Sequence, residues 1–321
     1  MRKKVIHNHP FNGDNSFKSC LSSFLEENGK LSTSTIQQWK ENVFYVADMD
    51  RKGFVLKAYE DKKTPIQQWR FFMKNQSPVI QPFCAFPNGE KILRWKKKYW
   101  TIQTCLVGEK LTFEDERDRR DAVDTVKIFH KDIKSIQIKN PTIRVDYEQK
   151  CRLRLRKFWT TKETFERFGF SYLFHEITQA TSMLIRQWSS YRSIIEGEKK
   201  DWIHGDLAAH NFIRIKEGKV RLIDFDLLGK ASTSYDYMQL GQRFLEHIHY
   251  DIPQLLTYKL CSEYQIRPYL IGVAIPMDHM REWLHFIGKL PMNDTVFSYL
   301  SELERSWSDR KQFIHEVLTY W

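Results

Sequence analysis

Between residues 212 and 223 the chain sets two short β-prone runs, Phe212-Ile213-Arg214-Ile215 and Val220-Arg221-Leu222-Ile223, around Lys216-Glu217-Gly218-Lys219. This predicts a hairpin with Gly218 in its turn, Ile215 opposite Val220 and Phe212 opposite Ile223. One step further out, Asn211 would face Asp224. Upstream, GFVLKAY alternates Phe54, Leu56 and Ala58 with Val55, Lys57 and Tyr59. That period of two predicts a strand with Lys57 on the face away from the apolar set. NVFYVADMD is its expected hairpin partner across a turn at 50–53, and a further strand is expected over 99–106, ended by Gly108.

Helical spacing takes over downstream. Ala122, Val126 and Phe129 recur within a highly charged stretch, and Leu173, Ile177, Ala180, Leu184 and Trp188 form a longer apolar stripe. Each predicts a helix with one buried face, the second serving as core support. A helix is also expected to open at Asp236, where capping or bracing would explain the carboxylate, and 278–321 is helical and aromatic in pattern. Residues 139–159 interleave Arg and Leu, which suits either a two-faced strand or a helix of mixed surface.

Composition narrows the picture. The 321 residues are 41% hydrophobic and 14% aromatic, enough for one large core or two smaller ones. No apolar run approaches the roughly 18 residues of a membrane span. The basic opening MRKKVIHNHPFNGDNSF has no apolar stretch behind it, so no signal peptide and a cytoplasmic location are expected. Five cysteines, Cys20, Cys84, Cys105, Cys151 and Cys261, lie far apart without metal or redox spacing and read as buried thiols of a reducing compartment. The net charge of +11 favours a phosphorylated ligand or an anionic polymer over a polycation. Nucleic acid is not expected, because no recognised nucleic-acid module accompanies the charge.

The hairpin ends carry the candidate chemistry. An amide oxygen at 211 and a carboxylate at 224 suit a hard divalent cation such as magnesium. Asp206 arrives five residues before Asn211 and could orient or deprotonate a hydroxyl attacking a phosphate. Singly these residues read as solvated polar flanks; their joint spacing favours chemistry.

HGDLAAHN resembles the HxDxxxxN catalytic loop of protein-kinase-like phosphotransferases, and IDFD resembles their metal-binding element in the aminoglycoside phosphotransferase and choline kinase branch. HGD in place of HRD is similar to that branch. VLKAY resembles its lysine strand. Over about 180 residues, VLKAY, VGEKLTFED, HGDLAAHNF and LIDFD together look most similar to the spore-coat kinase-like (CotS-like) family. The resemblance implies an α+β, two-lobed protein-kinase-like fold, with a small β-rich nucleotide-binding lobe over 1–106 and a larger, mainly helical catalytic and substrate-binding lobe over 107–321. It implies Asp206 as catalytic base, His204 as the brace of the loop, Asn211 and Asp224 as magnesium ligands, and Lys57 on the ATP phosphates. Backbone groups near Thr104, Cys105 and Leu106 would face adenine. His210 has no counterpart role and is placed near the substrate. Asp226 is read as either a further metal-shell carboxylate or a structural residue.

Two departures stand out. STIQQWKEN, where the phosphate-covering loop should lie, contains no glycine, and PIQQWRFFMKNQ, where a helix should give Lys57 a glutamate, offers only Gln67 and Gln68. The expected function is transfer of the ATP γ-phosphoryl group to a hydroxyl of a sugar, glycan or other small molecule. The alternative is a pseudokinase serving as a structural or binding protein of the spore coat, with coat proteins as partners. Arg152, Arg154 and Arg156, in the basic run 139–159, are the candidate substrate or partner contacts, against the plainer reading of a solvated charged face.

Overall fold

The computed structural model describes residues 15–196 and 200–320; the basic stretch 1–14 lies outside them. In chain order the first elements are α1 (Asn15–Gly29), β1 (Thr33–Lys40), β2 (Val43–Asp48), β3 (Gly53–Tyr59), α2 (Lys63–Phe72), β4 (Leu93–Trp95), β5 (Lys98–Thr104) and β6 (Gly108–Lys110). Next come α3 (Glu116–Asp132), α4 (Tyr147–Trp159), α5 (Lys162–Arg167), α6 (Ser171–Ser190), α7 (Arg192–Glu196) and β7 (Asp201–Ile203). The remainder is β8 (Phe212–Ile215), β9 (Val220–Leu222), β10 (Gly229–Ala231), α8 (Ser234–Phe244), α9 (Ile252–Thr257), α10 (Ile266–Ala274), α11 (Met277–Ile287) and α12 (Asn293–Thr319). Two compact units result. Among the described residues the first takes 15–110, 135–140 and 213–226, the second 111–134, 141–196, 200–212 and 227–320.

The first unit is built on an antiparallel sheet of order β1-β2-β3-β5-β4. Phe54, Leu56 and Ala58 point from β3 into a core with Phe44, Val46, Trp100 and Ile102, and α1 closes that face with Leu21, Phe24 and Leu25. The opposite face of β3 is left for Val55 and Lys57. The strand expected over 99–106 stops at Thr104, because its ladder runs out where β3 begins; Phe54 to Thr104 is the last pair. A second sheet, β6-β8-β9, carries the expected 212–223 hairpin.

That hairpin closes differently from the expected pairing. Gly218 N–H donates to Ile215 O at 2.9 Å and Ile215 N–H donates to Lys219 O at 2.9 Å, so the loop has residues 216–218 and closes at Lys219 instead of Val220. Gly218, at φ +75°, occupies the left-handed position that ends a type I turn of this length. Its freedom of backbone shortens the loop by one residue.

The second unit is mainly helical. The stripe on α6 buries Leu173, Ile177, Leu184 and Trp188 as its spacing predicts, and Ala122, Val126 and Phe129 are buried on α3. The apolar helix α10 packs against α6, α8 and α12. Of residues 139–159, 147–159 form a helix: Asp146 caps α4 by accepting Gln149 N–H at 2.7 Å, and Glu148 adds an acid to the first turn. The helix expected to open at Asp236 begins two residues earlier, at Ser234, and no side chain caps it. All five cysteines are free, yet only Cys151 is buried, and Cys20 is exposed because α1 turns its other face to the core. Among the described residues no helix is long and apolar enough to cross a membrane.

Candidate active site

In the first unit, Lys57 is the focus. Strand alternation keeps it off the core, and its ammonium lies 2.6 Å from Asp224 Oδ1 and 2.5 Å from Asp226 Oδ2. Burial pulls the amine's pKa down, but the charges of Asp224 and Asp226 outweigh it, so the pKa is raised and the amine stays protonated. Asp226 is itself held: Tyr59 OH donates to its Oδ1 at 3.1 Å and the Gln68 amide at 3.4 Å. Gln68 thus bonds Asp226. The acid missing from α2 is supplied by Asp226, and Gln68 on α2 steadies that acid instead.

The hinge residues differ in availability. Cys105 N–H already donates to Gly53 O at 2.9 Å, and Thr104 O accepts the Gln81 amide at 3.2 Å. Leu106 N–H makes no hydrogen bond among the described residues. The glycine-free segment before β2 is strand β1, joined to β2 by Glu41-Asn42. It offers no loop of glycine amides.

In the second unit, β7 pairs with β10 and delivers the chain at Ile203 into the loop 204–211. Gly205 sits at φ +82°, and a Cβ there would lie 2.8 Å from Leu227 O, so both conformation and space demand glycine in HGD. His204 is fully buried, and its Nδ1 accepts Asp206 N–H at 3.3 Å. Two side chains on α8 anchor the loop. Asp236 accepts His204 N–H at 2.8 Å and Gly205 N–H at 2.9 Å, while Gln239 accepts Leu207 N–H at 2.5 Å and donates to Gly205 O at 3.2 Å. The carboxylate at 236 therefore braces the loop and does not cap its helix.

His130 Nε2, on α3, lies 3.1 Å from Asp236 Oδ2. Burial pushes the Asp236 carboxyl up, but His130 beside it and the Gly205 N–H hold it below the ordinary carboxylate value. Sequence reasoning missed Gln239. Its signal was the i, i+3 spacing from Asp236, which puts both polar side chains on one side of α8.

Asn211 closes the loop inside a 3₁₀ turn over Ala209–Asn211. Its amide nitrogen donates to Asp206 O at 2.9 Å and lies 3.4 Å from Asp206 Oδ2. The donor end is thereby committed to Asp206, and the amide oxygen is left as the end able to meet a cation. Asp206 Oδ1 lies 3.9 Å from Arg243. His210, in the same turn, is exposed. Among the described residues no three His, Cys, Asp or Glu side chains stand together as a metal cluster. The oxygens of Asn211 and Asp224 are nevertheless the donor type that magnesium takes alongside phosphates and water.

The helical form of 147–159 separates Arg154 from the other two arginines. A two-residue step turns about 200° around a helix, so Arg154 lies on the side away from Arg152 and Arg156, which four residues apart share a face. Arg154 donates to Met277 O at 3.0 Å and lines a cavity of about 190 Å³ within the second unit. Arg152 is exposed and pairs with Glu148 at 2.7 Å, and Arg156 is exposed.

No protein-family model matches the chain, and no curated protein matches it by sequence. Solved structures do match. An aminoglycoside phosphotransferase from Alicyclobacillus acidocaldarius aligns with a TM-score of 0.67 at 14% identity, over 90% of this chain and 92% of that one. The chain has a protein-kinase-like fold. An amicoumacin kinase in complex with AMP-PNP, Ca²⁺ and its ligand aligns at 0.64 and 15% identity, over 95% and 94% of the two chains. A choline kinase from Streptococcus pneumoniae aligns at 0.53 and 11%, over 91% and 99%. At these identities the likeness is one of fold.

Proposed function

We propose that the protein is an ATP- and magnesium-dependent phosphotransferase that moves the γ-phosphoryl group to a hydroxyl of a small molecule, sugar or glycan. The observation that carries this reading is the wiring of the loop 204–211, which holds a carboxylate at 206 beside an amide at 211 whose nitrogen is already committed. The fold adds support, since solved proteins that share it are described as aminoglycoside, amicoumacin and choline kinases.

In this reading Asp206, Asn211, Lys57 and Asp224 carry the chemistry. Asp206 orients the acceptor hydroxyl and takes its proton, and Lys57 steadies the phosphates. Asn211 and Asp224 are the residues that would hold magnesium, which when bound neutralises phosphate charge. Leu106 N–H is the hinge group that would read the adenine edge. An inactive pseudokinase is the second reading, and its sequence argument was the acid missing from α2. Asp226 beside Lys57 answers that argument, so the enzyme is preferred. A cytoplasmic site of action and deposition on a spore coat belong to the proposal only through the sequence resemblance.

The test pairs nucleotide binding with turnover. Wild type should be stabilised against heat by ATP with magnesium and should consume ATP with a suitable acceptor. Asp206→Asn should keep the first property and lose the second by at least about 100-fold, the usual contribution of a positioned base. If ATP with magnesium leaves wild-type melting unchanged, the phosphotransferase reading fails.

A further inference from the structure

The cavity beside the loop 204–211 has a charge pattern that the phosphotransfer reading does not require. It lies wholly within the second unit, with Gly205 in its wall. Five cationic side chains line it, Arg144, Lys150, Arg154, Arg243 and Arg281, against two acids, Asp236 and Asp278.

Both acids are occupied elsewhere. Asp236 is taken by the His204 and Gly205 amides and by His130. Asp278 is paired with the fully buried Arg310 and lies 3.3 Å from His279 Nδ1. Lys150, Arg154, Arg243 and Arg281 are poorly matched in turn. Arg154 donates to the backbone carbonyl of Met277, and the Lys150 ammonium, part-buried on α4, makes no hydrogen bond among the described residues. Arg243 reaches only to 3.9 Å from Asp206, and Arg281 pairs with the exposed Glu282.

Burial, and after it the charge of Arg154, lowers the Lys150 pKa; burial and the charge of Arg281 do the same for Arg154 and Arg243. A group of cations desolvated together without matching anions is costly unless a ligand supplies the charge. A wall of this kind around a concave space concentrates anions and repels cations.

We propose that this cavity binds the phosphoryl acceptor, and that the acceptor is a small hydroxyl compound that also carries a phosphate or carboxylate group. The proposal rests on the phosphotransferase reading for its chemistry and on the cavity for its charge. At about 190 Å³ the space is below the roughly 300 Å³ of ordinary ligand pockets, which suits a small molecule or one charged end of a glycan. Aminoglycosides and choline, both cations, are excluded by it. In the transfer, the acceptor hydroxyl oxygen forms a bond to the γ-phosphorus of the nucleoside triphosphate. The bond from that phosphorus to the bridging oxygen breaks, its electron pair leaving with the nucleoside diphosphate. The hydroxyl proton passes to the Asp206 carboxylate and on to solvent.

The experiment titrates the full chain, with AMP-PNP and magnesium present, with glucose, glucose 6-phosphate, gluconate and kanamycin, and runs the same four compounds as acceptors with ATP. At least one of the two anionic compounds should bind about tenfold or more tightly than glucose, as expected for hydrogen bonds to charged groups, and should weaken with added salt. Whichever binds identifies phosphate or carboxylate as the recognised group. Lys150→Met and, as a second variant on a different helix, Arg281→Met should each remove most of that preference while the melting profile shows an intact fold. Failure of both anionic compounds to outbind glucose and kanamycin overturns the proposal, as does unchanged anion preference in both variants. Anion-selective binding without transfer to any acceptor would keep the cavity assignment and sink the phosphotransferase reading. Transfer to glucose or kanamycin in preference to the anions would do the reverse.

Discussion

Replacing Asp236 by asparagine isolates what anchors the loop 204–211. The carboxylate presents two oxygens to two backbone donors, His204 N–H at 2.8 Å and Gly205 N–H at 2.9 Å. Asparagine has one acceptor oxygen, so one of these donors meets an amide NH₂ and is left unpaired. An unpaired buried donor costs about 1–3 kcal/mol, and the surviving bond loses its charge assistance. The sum is about 2–4 kcal/mol for Asp236→Asn, and about 3–6 kcal/mol for Asp236→Ala, where both donors are stranded. Thermal unfolding followed by circular dichroism should show Asp236→Asn melting roughly 5–15 °C below wild type, at about 2–4 °C per kcal/mol for a unit of this size.

The pH dependence adds a second check. The folded-state pKa of Asp236 lies below its ordinary value of 3.8, so its contribution is complete above 3.8 and is lost as pH falls through the folded-state value. The gap between wild type and Asp236→Asn should therefore be complete at pH 7 and close only on strong acidification. A variant that melts within about 2 °C of wild type at pH 7 would refute the reasoning, because two charge-assisted buried bonds cannot be that weak.

Gly205→Ala should cost about 2–4 kcal/mol in chemical denaturation, combining left-handed strain with the approach to Leu227 O, whereas Gly218→Ala, with open space around it, should cost only the strain, about 1–2 kcal/mol. Asp226→Asn should lower the Lys57 pKa, read as a downward shift in the pH profile of Lys57 acylation followed by mass spectrometry; an unchanged profile would show that Asp224 alone holds the amine. Arg310→Met leaves the Asp278 carboxylate without its guanidinium partner in a buried site and should destabilise the protein by about 3–5 kcal/mol in urea titration.

Local pattern determined a good deal. The alternation in GFVLKAY is enough to send Phe54, Leu56 and Ala58 inward and Lys57 outward, because a strand has only two faces. The four- and three-residue steps from Leu173 to Trp188 likewise define one buried side of α6. The order of chemical groups from 204 to 226 was legible too, since a loop and hairpin fix their spacing along the chain. Residues 139–159 were not decidable, because interleaved Arg and Leu satisfies either period until Asp146 caps a helix.

What remained hidden were the partnerships between distant segments. Nothing in PIQQWRFFMKNQ says that the acid for Lys57 comes 169 residues later, at Asp226. Nor does the Asp236 motif say whether its carboxylate caps its own helix or holds the amides of another segment. Which charges in a cavity are already neutralised is equally a matter of packing, since Asp278 is committed to Arg310 through the meeting of α11 and α12. Sequence patterns fix which face a side chain takes on its own element. The identity of the group waiting on that face depends on how elements far apart in the chain pack, and short-range periodicity carries no information about that.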